Sequence, residues 1–143
     1  MDLYEQNYLL MRLLAPELKR MGPGTHVSRL PGAMSLELSE LEHSRYTSTF
    51  RLTYRFSERT LRGRREREPD LAIRLYHDAR SCEVMSGLMP EERMVSRRTR
   101  DLEEGRHLNR FLKKWLSYCL RQGHGFGKQL EPVEPAVDYC TQC

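Results

Sequence analysis

The 143-residue chain has no apolar run approaching the roughly 20 residues that a membrane-crossing helix needs. It also lacks the basic start of a secretory signal, since Asp2 and Glu5 flank Leu3-Tyr4. A cytosolic location is the expectation. In a reducing cytosol Cys82, Cys119, Cys140 and Cys143 read as thiols or metal ligands before they read as structural disulfides. Lysine is scarce: only Lys19, Lys113, Lys114 and Lys128 stand among 24 basic residues, so arginine carries the net charge of +4. No G-x-x-x-x-G-K-[ST] phosphate loop, G-x-S-x-G elbow, His-Glu-x-x-His helix or repeated Cys-x-x-Cys occurs, which argues against the common nucleotide, serine-hydrolase and zinc enzymes. Gly123-His124-Gly125-Phe126-Gly127 follows a helical stretch instead of joining a strand to a helix, so it offers no phosphate cradle.

What is present suits one domain: 38% apolar and 31% charged residues, in a chain long enough to bury a core. Leu3, Asn7, Leu10, Met11, Leu14, Leu18 and Met21 fall at helical spacing, with Pro16 expected to kink or restart the helix and Gly22-Pro23-Gly24 to stop it. The period then changes to two. Met34, Leu36 and Leu38 alternate with polar residues, and from Arg45 the residues Tyr46, Phe50, Leu52, Tyr54 and Phe56 face one way while Thr47, Thr49, Arg51, Thr53 and Arg55 face the other. An antiparallel pairing of these strands brings Glu37 toward the Arg51 side of the wet face. Arg59, Arg62, Arg64, Arg65 and Arg67, interleaved with acids, read as a loop.

A further strand alternates Leu71, Ile73, Leu75 and His77 with Ala72, Arg74, Tyr76 and Asp78. A tight turn at Ala79-Arg80 sets His77 opposite Cys82 and Leu75 opposite Val84. Gly87 to Arg100 reads as a connector with a helical turn at Glu91-Glu92. A long helix after Asp101 follows, striped by Leu108, Phe111, Leu112, Trp115, Leu116 and Cys119 and stopped by Gly123. The expected fold is α+β: a curved antiparallel sheet of four to five strands packed against an N-terminal and a C-terminal helix, with Trp115 in the packed layer. Residues 1–123 form the single domain, and 124–143, with Gly125, Gly127, Pro132 and Pro135, form a flexible tail.

Arg74-Leu75-Tyr76-His77-Asp78-Ala79 with Glu83-Val84 concentrates groups that ionise or donate hydrogen bonds. Together with Phe111-Leu112, Trp115-Leu116 and Tyr118-Cys119-Leu120, this string resembles the YqiB-like family of bacterial proteins, a domain of unknown function; the resemblance runs from the first helix to about Gly123. It implies no catalytic residue. The candidate site is Arg74, Tyr76, His77, Asp78 and Glu83, in which an arginine can hold an anion and the carboxylates can serve as acid and base. The same residues also suit a cross-strand pair of Arg74 and Glu83 with Asp78 shaping the turn. His77 beside Cys82 raises a nucleophile reading, with His77 as a core residue the simpler one.

Cys140-x-x-Cys143 has only half the ligand set of a structural zinc, so no metal and no cofactor is expected. The leading functional reading is a cytosolic, non-catalytic binding or adaptor domain for an acidic or phosphate-bearing partner. The alternative is a small hydrolase or transferase acting on a phosphate-containing metabolite, with Arg74 on the anion and Asp78 or Glu83 as base. Nucleic acid is not an expected partner, since acids are interleaved among the arginines of 59–67 and no aromatic lies within that run.

Overall fold

The computed structural model describes residues 1–55, 67–88, 94–96 and 102–127. Two helices, α1 (Leu3–Leu14) and α2 (Leu102–Gln122), pack on each other and on one face of an antiparallel sheet. Its strands β1 (Gly24–Ser28), β2 (Ser35–His43), β3 (Thr47–Arg55), β4 (Arg67–Tyr76), β5 (Ser81–Leu88) and β6 (Met94–Ser96) lie side by side in chain order. The α+β architecture is as the alternation implies, with two short edge strands added. β1 starts at Gly24, the end of the expected helix stop, and continues through residues 25–28, to which the sequence pattern assigns no element, and β6 falls in the connector. The loop arginines 59–65, Phe56, the turn at Glu91-Glu92, Asp101 and the cysteines Cys140 and Cys143 lie outside the described residues.

α1 begins at a capping box: Asp2 accepts the Glu5 N–H at 2.9 Å, and the Glu5 carboxylate accepts the Asp2 N–H at 3.1 Å. Pro16 cannot continue the helix, so α1 stops at Leu14 and the chain restarts as a 3₁₀ turn at Leu18–Arg20. The core joins Tyr8, Met11, Leu14 and Leu18 to Leu36, Leu38, Phe50, Leu52, Ile73 and Leu75 of the sheet and to Leu108, Leu112, Trp115 and Leu116 of α2. Trp115 meets Tyr54 edge-on, ring centroids 5.4 Å apart. Tyr46, expected inward, is 52% exposed because β3 begins only at Thr47.

Register departs from simple alternation at defined points. Glu40, at φ 55°, forms a bulge between Ser39 and Glu42, so the inward series runs Leu36, Leu38, Leu41 and the extra residue keeps Leu41 in the core. Glu37 lies opposite Thr53, on the face that carries Arg51 as expected; its carboxylate pairs with Arg55 at 3.3 Å, while Arg51 pairs with Asp70 at 3.0 Å. Glu37, Ser39 and Thr53 are buried, so this face is not uniformly wet.

The β4–β5 turn takes four residues, His77 to Arg80, and sets Leu75 opposite Cys82 and Ile73 opposite Val84. This corrects the expected register by two residues. Parity survives as far as Val84; an irregularity at Met85 then sets Ser86, expected inward, opposite outward Ala72 and brings Gly87 opposite Leu71.

α2 ends at Gly123, whose φ of 105° lets His124 N–H reach the Cys119 carbonyl at 3.1 Å. Packing continues past that glycine: His124 and Phe126 are buried, and Phe126 N–H donates to the Leu14 carbonyl at 2.8 Å. Gly87 is required by a close approach, since a Cβ there would overlap Leu71 Cδ2 and stand 3.1 Å from the Asp70 carbonyl oxygen. Gly87→Ala is expected to cost about 1–3 kcal/mol through this overpacking. Urea unfolding measures it, and an unchanged midpoint would show that Leu71 yields freely.

Candidate functional site

The β4–β5 hairpin distributes the five candidate residues over two faces and a turn. Arg74 lies directly opposite Glu83, and Tyr76 opposite Ser81. Arg74 lines an open concavity of about 540 Å³ with Glu40, Glu42, Thr49 and Arg51, on the face turned from the helices. Asp78 sits exposed in the turn, where its carboxylate accepts the Ala79 N–H at 2.9 Å. His77 turns the other way, toward α1. The five therefore do not converge: Arg74, Tyr76 and Glu83 share the open side, while His77 belongs to the helix side.

Leaving the strand at Tyr76, His77 donates its backbone N–H to the Tyr46 carbonyl at 2.8 Å, which fixes its ring over the end of β3. There Ser48, 0% exposed, stands between two imidazoles: its Oγ lies 2.7 Å from His77 Nε2 and 2.7 Å from His43 Nδ1, while His43 Nε2 lies 3.1 Å from the Met21 carbonyl oxygen. The carbonyl can only accept, so His43 Nε2 carries the hydrogen. In a neutral His43 the Nδ1 lone pair must then accept the Ser48 hydroxyl, whose oxygen in turn accepts from His77 Nε2–H. The chain of donors thus runs from His77 through Ser48 and His43 to Met21. It leaves Nδ1 as the basic nitrogen of His77.

His77 lines a second concavity, about 330 Å³, between the end of α1, the 3₁₀ turn and the end of β4. Arg12, Lys19 and Arg20 stand on its walls with Tyr8, the Tyr8 hydroxyl accepting from Arg12 at 3.3 Å. The guanidinium carbons of Arg12 and Arg80 lie 5.9 and 5.2 Å from the Tyr8 ring centroid. Glu17 is the acid of this mouth and is taken by Arg20 at 3.6 Å. Burial pushes the His77 pKa below its ordinary value, the positive charges of Lys19 and Arg12 and the neighbouring His43 push it further, and Asp78 opposes them. A neutral imidazole ringed by cations is suited to an oxyanion.

The nucleophile reading fails on position and on charge. Leu75, not His77, faces Cys82, and complete burial drives the Cys82 thiol far above its ordinary pKa. Cys119, also buried, is pushed up to about 11. Among the described residues no three metal-ligating side chains gather, and no helix is long and apolar enough to cross a membrane. Ser48, His43, Arg12 and Lys19 were not singled out in the sequence. Ser48 did carry a signal: a polar residue at an inward position of an alternating strand, two before Phe50.

The fold and this arrangement define a small two-layer α+β domain whose polar side chains gather where the β4–β5 hairpin meets the end of α1. The chain belongs to the bacterial family described as protein of unknown function (DUF1249), whose model matches residues 9–125. It is similar to the uncharacterized protein YqiB of Escherichia coli K12, 30% identical over 133 residues covering 86% of this chain and 87% of the relative. The YqiB proteins of Escherichia coli O6:H1 and O157:H7 match equally. No solved structure matches the chain.

Proposed function

We propose that the chain is a non-catalytic binding domain whose ligand presents a phosphate- or carboxylate-type oxyanion to the mouth beside His77. The observation that carries this reading is the gathering of Arg12, Lys19 and Arg20 around an imidazole held neutral, in a concavity of about 330 Å³. Guanidinium and ammonium donors form charge-assisted bonds to such oxygens, and Arg12 is already oriented by Tyr8. The hydrolase or transferase alternative needs Arg74 with Asp78 or Glu83, and these stand away from this mouth. Residence in the cytoplasm belongs to the same proposal, supported by the free thiols of Cys82 and Cys119 in the core.

Calorimetry with inorganic pyrophosphate tests it. Arg12→Ala and Lys19→Ala are each expected to weaken binding by about tenfold, and Arg74→Ala by less than about twofold, in line with roughly 1.5–3 kcal/mol for a hydrogen bond to a charged group. An equal loss from Arg74→Ala, or turnover of the pyrophosphate, would move the site to the other face or restore the enzymatic reading.

A further inference from the structure

After its first turn, α2 carries no carboxylate. From Gly105 through Gly127 the sequence holds Arg106, Arg110, Lys113, Lys114 and Arg121 and not one Asp or Glu, in a chain that has 20 acids among 143 residues. At 100° per residue all five cations fall on one side of the helix, opposite the arc that Leu108, Leu112, Trp115 and Leu116 bury, and all five are exposed. No ion pair among the described residues engages them. Like charges at i, i+4, such as Arg106 with Arg110 and Arg110 with Lys114, disfavour a helix. Acid-free stretches that carry arginine also occur at 18–36 and 43–57, but the one from Gly105 through Gly127 is longer and gathers its cations on one helix face, so this stripe is not ordinary surface solvation.

We infer that this face of α2 docks the phosphodiester backbone of nucleic acid, without regard to sequence. The stripe from Arg106 to Arg121 is about 22 Å long at ~1.5 Å per residue. Over that length one nucleic-acid strand presents about six phosphates, at ~3.4 Å of axis each. Arg110, Lys113, Lys114 and Arg121 line an open concavity of about 520 Å³ with Ser117 and Leu3. Beside it Tyr118 is 47% exposed with Arg121 over its ring at 6.0 Å, offering a stacking surface for an unpaired base. Insertion into an anionic membrane fits less well, because the large apolar residues of α2 are spent on the core. The residues that line this concavity are not those of the His77 mouth.

Fluorescence anisotropy of the full chain with a labelled mixed-sequence 24-nucleotide single strand, and with its duplex, tests the inference across salt concentrations. Affinity is expected to fall linearly on a double-logarithmic salt plot with a slope near −3 to −4, at ~0.7–0.9 per phosphate contact. Lys113→Glu/Lys114→Glu should weaken binding at least about tenfold and flatten the slope by about 1–2. A charge-matched pair on the sheet side, Arg45→Glu/Arg74→Glu, should change affinity less than about twofold. If charge reversal unfolds the chain, Lys113→Ala/Lys114→Ala reads the same surface with a smaller loss. Absence of binding at low salt, equal losses from both pairs, or tighter capture by anionic vesicles or poly-glutamate would overturn it.

Discussion

Asn109→Ala is expected to lower the unfolding free energy by about 2–4 kcal/mol, a large share of the stability of a domain this size. Asn109 is fully buried on the core arc of α2. Its Oδ1 accepts the Val84 N–H of β5 at 3.1 Å, its Nδ2 donates to the Gly105 carbonyl at 2.8 Å, and its backbone carbonyl accepts Asn7 Nδ2 of α1 at 3.1 Å. One residue thereby ties both helices to the sheet, beside the register shift where β4 and β5 lose regular pairing. Truncation removes the acceptor from a buried N–H and leaves a void as well. Asn109→Leu separates these effects, because it refills the volume and still strands the Val84 N–H. Urea unfolding of the leucine variant should remain at least about 1 kcal/mol below wild type. Full recovery would assign the loss to volume alone.

Asn109 also shows where sequence reasoning ends. The stripe Leu108, Leu112, Trp115, Leu116 and Cys119 was legible because a helix that covers a sheet must bury one arc, and β2 and β3 were legible because burial on one face enforces a period of two. Asn109 lies on the same arc, and its use depends on a bare strand N–H that no periodicity announces. The edge strands were missed for another reason. Gly24-Thr-His-Val-Ser and Met94-Val-Ser are too short or too polar to alternate, and pairing with β2 and β5 holds them extended. The Glu40 bulge and the four-residue turn at His77–Arg80 each insert residues without altering composition. Those insertions decide which side chains meet across the ladder.

The candidate site was half legible for the same reason. The string from Arg74 to Ala79 marked the right hairpin, yet Arg74 lies on the open face and Asp78 in the turn. His77 acquires its meaning from Ser48, 29 residues earlier, and from His43, which reaches it only because β2 and β3 are neighbours. Ser48 is fully buried between two rings, which makes it a bridging hydroxyl and not an accessible nucleophile. Lys19 and Arg20 arrive through Pro16, which breaks α1 and folds the following turn over the end of β4. A proline read as a helix stop thus builds one wall of the mouth.

Oxyanion binding at that mouth is expected to weaken as pH rises, by up to about tenfold per unit across the window in which His77 gains a proton on binding. In the free protein burial, the charges of Lys19 and Arg12 and the neighbouring His43 hold the His77 pKa below 6.5. An anion at the mouth reverses the sign of the local field and favours the imidazolium, so the bound form takes up a proton between the depressed and the raised pKa. Without ligand the sign is opposite for stability. His77 and His124 are both depressed by burial, so the folded chain binds fewer protons than the unfolded one below about pH 6.5. Their contribution is complete above that pH and is lost as pH falls toward the folded values.

Sulfate, which keeps its charge across this range, serves as the calorimetric probe. His77→Gln should flatten the pH profile while Arg12 and Lys19 still bind. Ser48→Ala strips the acceptor from His77 Nε2–H and the donor from His43 Nδ1. It should therefore shift the profile to lower pH and weaken sulfate binding near pH 6, because the imidazolium loses the oxygen that supports it. A wild-type profile without slope, or His77→Gln retaining the wild-type slope, would take the proton coupling away from this imidazole.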